Sequence, residues 1–216
     1  ATKGAAMALL SKVYLYQKKY AEAKQMSEKV INSGEFDLMP KFSDLFLTSN
    51  NNNYESIYSW QWSGGINEYQ GGNFSNVQYG LDILNDDASY GATYVPSNDI
   101  QEQFEVGDTR RKESYMIYGD NYPNLKGDGV VGFTMDKVKY PDLLTNTGAV
   151  VKKYVVGQVT GETGPVDGWG GMNNCNYIMR YADLLLIHAE SILGDANETT
   201  DEAAKASYNK VRKRAG

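Results

Sequence analysis

The chain has 216 residues and a formal net charge of −6, long enough to bury a substantial core as one domain. No long basic run interrupts the acidic balance, which argues against a nucleic-acid partner, because gripping phosphates needs a concentrated positive surface. The lone cysteine, Cys175, excludes an internal disulfide framework and offers no zinc spacing, so it reads as a small core residue.

Residues 3–33 read as a helical hairpin. Ala5, Ala6, Leu9, Leu10, Val13, Tyr14 and Leu15 keep a helical period, Lys18-Lys19-Tyr20 make a polar corner, and Ala21 to Ile31 resume it. The helix starts within three residues of Ala1 without a good cap, and the chain stops just as a helix does. Both ends therefore read as cut, and the lack of a signal peptide carries no information about location. No apolar run is long enough to span a bilayer. The hairpin resembles a tetratricopeptide repeat, with Leu10, Ser11, Tyr14, Tyr20, Ala23 and Val30 at the positions that repeat wants large, small, aromatic, aromatic, small and small. Ser27 departs from it, since an aromatic is usual there. Small Ser11 and Ala23 allow the two helices to approach closely. One such pair cannot bury both of its faces, so its neighbours are expected upstream of Ala1.

A turn at Gly34 to Leu38 precedes an apolar patch at helical spacing, Phe42, Leu45, Phe46 and Leu47. Asn50 to Asn53 reads as an exposed turn. From Glu55 to Trp62 the period changes to two, which predicts a strand. Gly64 to about Asp128 is rich in Gly, Asn, Asp, Ser and Tyr, and predicts long ordered loops with a short helix near Asn98 to Phe104, capped by Ser97 or Asn98. Its aromatic content argues against disorder. Strands are expected at Glu113 to Tyr118, Val130 to Phe133 and Val150 to Val156, followed by a Gly-rich loop around Trp169.

Tyr177 to Leu193 is apolar on nearly every face and predicts a buried helix, with Arg180, Asp183 and Glu190 sharing one stripe. A second helix runs from about Glu202 to Arg214, with basic residues in its last turns where they suit the helix dipole.

The Tyr and Trp load, 17 and 3 residues, is the most informative chemical feature. An exposed ring stacks on the apolar face of a sugar while neighbouring Asn, Asp and Gln bond its hydroxyls. Trp62, Tyr69, Tyr79, Tyr90, Tyr94 and Trp169, each near Gly or Asn, are the ligand-binding candidates; the alternative for each is packing in the core or under a loop. Asp108, Arg110, Arg180, Asp183 and Glu190 read as structural ion pairs linking the middle to the buried helix. Nothing fixes two carboxylates at the separation glycoside hydrolysis needs, so no catalytic residue is assigned. His188, the sole histidine, cannot assemble an ordinary metal site or a triad and reads as a packing or surface position. Asp86-Asp87 and Asp120 to Asp128 lack calcium-loop spacing, and the paired glycines lack phosphate-loop spacing. No metal or cofactor is expected.

The run Arg180-Tyr181-Ala182-Asp183-Leu184-Leu185-Leu186, then Ala189-Glu190, Tyr208-Asn209, Val211-Arg212 and Arg214-Ala215-Gly216, resembles the SusD/RagB family. Further islands match in order: Gly4-Ala5-Ala6, Leu15-Tyr16, Leu45-Phe46, Glu55-Ser56-Ile57-Tyr58, a D-x-R element at Asp108 and Arg110, and Lys153. The resemblance implies a mainly α fold with an irregular, loop-rich middle and a few short strands, its tetratricopeptide-like helix pairs forming an α-α superhelix. It implies one SusD-like region: a hairpin and following helix in residues 1–48, a loop-rich segment in 54–172, and a closing hairpin in 174–216. It further implies non-catalytic binding of oligosaccharide at the cell surface and delivery to a SusC-like, TonB-dependent outer-membrane transporter. Membrane attachment would then come only through a lipid anchor absent from this chain. A glycoside-active enzyme and a protein-binding helical-repeat module are the alternatives.

Overall fold

The computed structural model describes residues 2–63, 72–84, 92–127, 130–142, 147–155 and 172–216. In chain order the elements are α1 (Lys3–Tyr16), α2 (Tyr20–Ile31), β1 (Ser56–Trp60), α3 (Ser75–Tyr79), α4 (Asn98–Glu102), α5 (Arg110–Ser114), β2 (Tyr115–Met116), β3 (Asn121–Gly127), β4 (Val130–Thr134), β5 (Val150–Val151), β6 (Asn176–Arg180), α6 (Tyr181–Leu193) and α7 (Glu202–Ala215). Helical hairpins at the two ends of the chain and a loop-rich middle with short strands make it mainly α. The chain divides into two compact units. One comprises Ala1–Lys41, Asn52–Trp60 and Asn176–Gly216, the other Phe42–Asn51 and Gln61–Cys175.

In the helical unit, α2 packs on both α1 and α6, and α6 packs on α7. Small residues make this possible. Ala5, Ala8 and Ser11 on α1, and Ala23 and Ser27 on α2, are almost entirely buried. The hydroxyls of Ser11 and Ser27 fold back on their own helices, donating to the Ala8 (2.7 Å) and Ala23 (3.0 Å) carbonyls, so neither leaves a polar group unmatched. The larger residues of α1 go the other way: Leu10, Val13 and Tyr16 are exposed. Leu184, Leu185, Ile187, Tyr181, Met179, Ile57, Val30 and Val211 fill the core.

Several local readings are corrected. Thr2 is a cap after all, its hydroxyl accepting from Ala5 N–H at 3.1 Å. The expected helix from Tyr177 is two elements. Asn176–Arg180 is a strand paired antiparallel to β1, with Tyr177 opposite Ser59 and Arg180 opposite Ser56, and the helix begins only at Tyr181. A buried strand and a buried helix are both apolar throughout, so period cannot separate them where one runs into the other. Arg180 therefore precedes the helix; its N–H donates to the Asp183 carboxylate at 3.0 Å. The expected strand at Glu113 to Tyr118 is the end of α5 and the two residues of β2. The Asp108 carboxylate accepts from Arg110 N–H at 2.8 Å and turns the backbone into a helix first.

In the loop-rich unit, β3 pairs with β4 and β2 with β5, both antiparallel, and Asn73 bridges to Met172. Leu81, Leu84, Met116, Tyr122, Leu125, Phe133, Met135, Val150 and Val155 form its core. The apolar patch at Phe42 to Leu47 folds as a 3-10 turn over Ser43–Phe46. Asn51 is a tether rather than an exposed turn residue: its amide donates to the Asn173 carbonyl at 2.6 Å and accepts from Cys175 N–H at 2.9 Å. Cys175 is buried. Ser97 caps α4. Among the described residues, no helix is long and apolar enough to cross a membrane.

Candidate functional site

Of the six aromatic candidates, Tyr69, Tyr90 and Trp169 lie outside the described residues. Trp62 is half-buried. Tyr79 and Tyr94 are brought together by backbone. Asn73, nearly fully buried, donates to the Asn174 carbonyl at 2.8 Å and accepts from Ser75 N–H at 2.9 Å, fixing the start of α3. Tyr79 closes that helix. Thr93 N–H then donates to the Gln78 carbonyl at 2.9 Å and Ala92 N–H to the Gly80 carbonyl at 3.1 Å, which draws Tyr94 alongside. The two rings meet edge to face, centroids 5.8 Å apart at 80°. Tyr79 packs on the unit's core, while Tyr94 remains 55% exposed. A half-exposed ring held against a second ring loses little freedom when a ligand stacks on it. In the helical unit, Trp60, which the sequence reading passed over, is 59% exposed at the end of β1.

The charged candidates sort into separate local arrangements. Asp108 and Arg110 form a fork within the loop-rich unit, with Nε–Oδ1 2.9 Å and Nη2–Oδ2 2.5 Å. Beside it Arg111 holds Asp120 through two bonds of 2.5 and 2.8 Å. Burial alone would raise the Asp120 carboxyl, but bonds from Arg111 and from Ile117 N–H outweigh it and hold the group below its ordinary value. Burial pushes the Tyr122 hydroxyl far up, so it stays protonated, lying 2.9 Å from the Lys112 carbonyl and 3.2 Å from Asp120.

Arg180 and Asp183 belong to a network in the helical unit whose centre the sequence reading missed. Glu55 is wholly buried and takes Arg214 Nη1 at 2.5 Å, Arg180 Nη1 at 3.3 Å and Met39 N–H at 2.7 Å. The signal for it was a carboxylate immediately before an alternating, aromatic-rich strand. Glu190 is exposed on α6. His188 is buried, with Nδ1 2.8 Å from Ser207 Oγ and Nε2 3.6 Å from Glu28. Burial pushes it below its ordinary value, against the opposing pull of Glu28.

The described residues contain no group of three or more His, Cys, Asp and Glu arranged to hold a metal ion. The shifted carboxyls among them, Asp37, Asp120, Asp195 and Asp201, all shift downward. That is the direction opposite to what a glycosidic proton donor requires.

Helical hairpins of tetratricopeptide type at the two ends of the chain, with a loop-rich unit between them in sequence, define a helical-repeat scaffold. The chain belongs to the SusD family, whose model matches residues 13–216. A SusD-like protein of Bacteroides ovatus is 30% identical over 236 aligned residues, which take in all of this chain and 40% of that protein. A crystal structure with xylogluco-oligosaccharide aligns with the whole chain at 28% identity and a TM-score of 0.80, covering 44% of its own length. A SusD superfamily protein from Parabacteroides distasonis does so at 26% identity and a TM-score of 0.70, covering 45%. The chain thus spans less than half the length of these relatives.

Proposed function

We propose that this chain captures oligosaccharide at the cell surface without cutting it and passes it to a SusC-like, TonB-dependent outer-membrane transporter. In this reading the protein is held at the outer membrane by a lipid anchor outside these residues. The observation that carries the reading is the whole-chain likeness to a relative crystallised with xylogluco-oligosaccharide, within a shared family. The Tyr79–Tyr94 pair supports it, since a half-exposed ring braced by a second ring is the chemistry that stacks on a sugar face.

Calorimetry with xylogluco-oligosaccharide tests it. Binding carried by ring stacking is expected to be nearly independent of salt, because no ion pair with the ligand is broken by screening. Tyr94→Ala is expected to weaken binding about three- to tenfold, the equivalent of one aromatic contact, with an unchanged unfolding midpoint. Release of shorter products from a labelled glycan would overturn the non-catalytic reading, and absence of saccharide binding would overturn the capture itself. Folding lost with Tyr94→Ala would return that ring to a structural role.

A further inference from the structure

The loop-rich unit holds a second feature, away from any predicted residue: a cleft of about 230 Å³. Phe46, Tyr122, Leu125 and Val155 form an apolar floor, and Lys112, Glu113 and Lys152 stand among its polar groups. Lys152 directly follows β5, and its backbone N–H is pinned to the Ser114 carbonyl at 3.0 Å. Its side chain is only 11% exposed. An ammonium carries three N–H donors. One goes to the Val155 carbonyl at 3.0 Å, while the Glu113 carboxylate stands off at 3.7 Å, beyond hydrogen-bond distance. Among the described residues nothing else accepts from Lys152 Nζ, which otherwise sits 5.7 Å from the centre of the Tyr122 ring. A buried ammonium short of acceptors is unstable as a charge. Burial accordingly pushes Lys152 below its ordinary value, against the opposing pull of Glu113.

A donor with unused N–H groups and an acceptor just too far to satisfy them leave a gap that a pair of ligand hydroxyls can close. One hydroxyl accepts from Lys152, and its neighbour donates to Glu113. Charge selects against the obvious competitor, an anion. Lys112 and Lys152 are balanced in the same cleft by Asp44 and Glu113, so no net positive field draws a phosphate or carboxylate. Size selects against a long chain: the cleft falls below the roughly 300–1,000 Å³ that enclose drug-sized ligands. The apolar floor suits the C–H face of a ring.

We propose that this cleft is a one-sugar subsite that recognises a vicinal diol through Lys152 and Glu113. For the identity of its ligand the proposal rests on the glycan-capture reading; its geometry is independent of Tyr94.

The test uses the full chain, with methyl β-D-glucoside as a one-ring probe, its 2,3-di-O-methyl derivative as a control with that diol blocked, inorganic phosphate as the anionic competitor, and xylogluco-oligosaccharide for the capture reading. Amide NMR shifts are followed during each titration. The expected result is movement centred on Glu113, Tyr122 and Lys152 with the glucoside and much less with the blocked derivative. Glu113→Gln is expected to weaken the glucoside about tenfold, the equivalent of one charge-assisted hydrogen bond. Glu113 is partly exposed and its ion partner is loose, so this variant decides the matter even where Lys152→Met fails to fold. Shifts elsewhere, equal response to the blocked derivative, unchanged affinity in Glu113→Gln, or preferential phosphate binding would each overturn the subsite. If any of these occurs while xylogluco-oligosaccharide still binds, the subsite falls and glycan capture stands. If neither saccharide binds, both fall.

Discussion

The two units of this chain reach order by different physics. The helical unit relies on periodic apolar faces with small residues where helices meet, Ala5, Ala8, Ser11, Ala23 and Ser27, around a single wholly buried carboxylate. Among its described residues the loop-rich unit pairs strands two at a time, and it fixes its turns with short polar clamps: Asp108 with Arg110, Asp120 with Arg111, Asn73 with Asn174, Asn51 with Cys175. Helices satisfy their backbone internally, so their side chains are free to pack. Loops must borrow side chains to satisfy backbone, which leaves other side chains, such as Tyr94, free to face water.

That contrast can be broken most severely at Glu55. Glu55→Ala removes the wholly buried carboxylate that Arg180 and Arg214 share and takes its countercharge from two largely buried cations. A loss of about 3–5 kcal/mol is expected in denaturant unfolding. A loss under about 1 kcal/mol would mean the network is not what holds β1, β6 and the end of α7 together.

Next in size, Asp120→Asn tests the clamp logic of the loop-rich unit. Losing the charge-assisted bonds to Arg111 is expected to lower stability by about 1.5–3 kcal/mol. The folded carboxyl titrates below its unfolded value near 3.9, so its contribution is present above that value and is lost as pH falls through the folded one. The variant should therefore flatten the acid limb of a stability–pH curve; an unchanged limb would mean that Asp120 does not set it.

The smallest effect expected is at His188. Its folded value lies below the ordinary 6.5, so the native state binds fewer protons than the unfolded chain. Stability should be full above about pH 6.5 and decline as pH falls through that value toward the folded one. His188→Gln should abolish this slope without touching the limb assigned to Asp120. A slope that survives the substitution would assign it to another group.

Legibility follows the same division. The end hairpins, the strand at Ser56–Trp60, the Ser97 cap and the family resemblance were all readable, because period, cap and motif are local in sequence. The break between β6 and α6 was not, since an apolar run has no internal mark where a strand hands over to a helix. Nor was the start of α5, set by one Asp108 oxygen. Of the candidate site, ring chemistry and composition were legible, but the meeting of Tyr79 with Tyr94 depends on two backbone bonds across a turn.

The amino-acid sequence alone determined the helical scaffold, the family and the kind of side chain available for a sugar, because each is written in spacing or residue type. Tertiary structure decided which charges share Glu55, which tyrosine stays open and that Lys152 stands beside Glu113. Glu55 meets Arg180 across 125 positions and Arg214 across 159, and Glu113 meets Lys152 only where α5 and β2 turn back against β5. Such meetings are set by how the chain closes on itself, and no local pattern encodes the distance between residues that far apart.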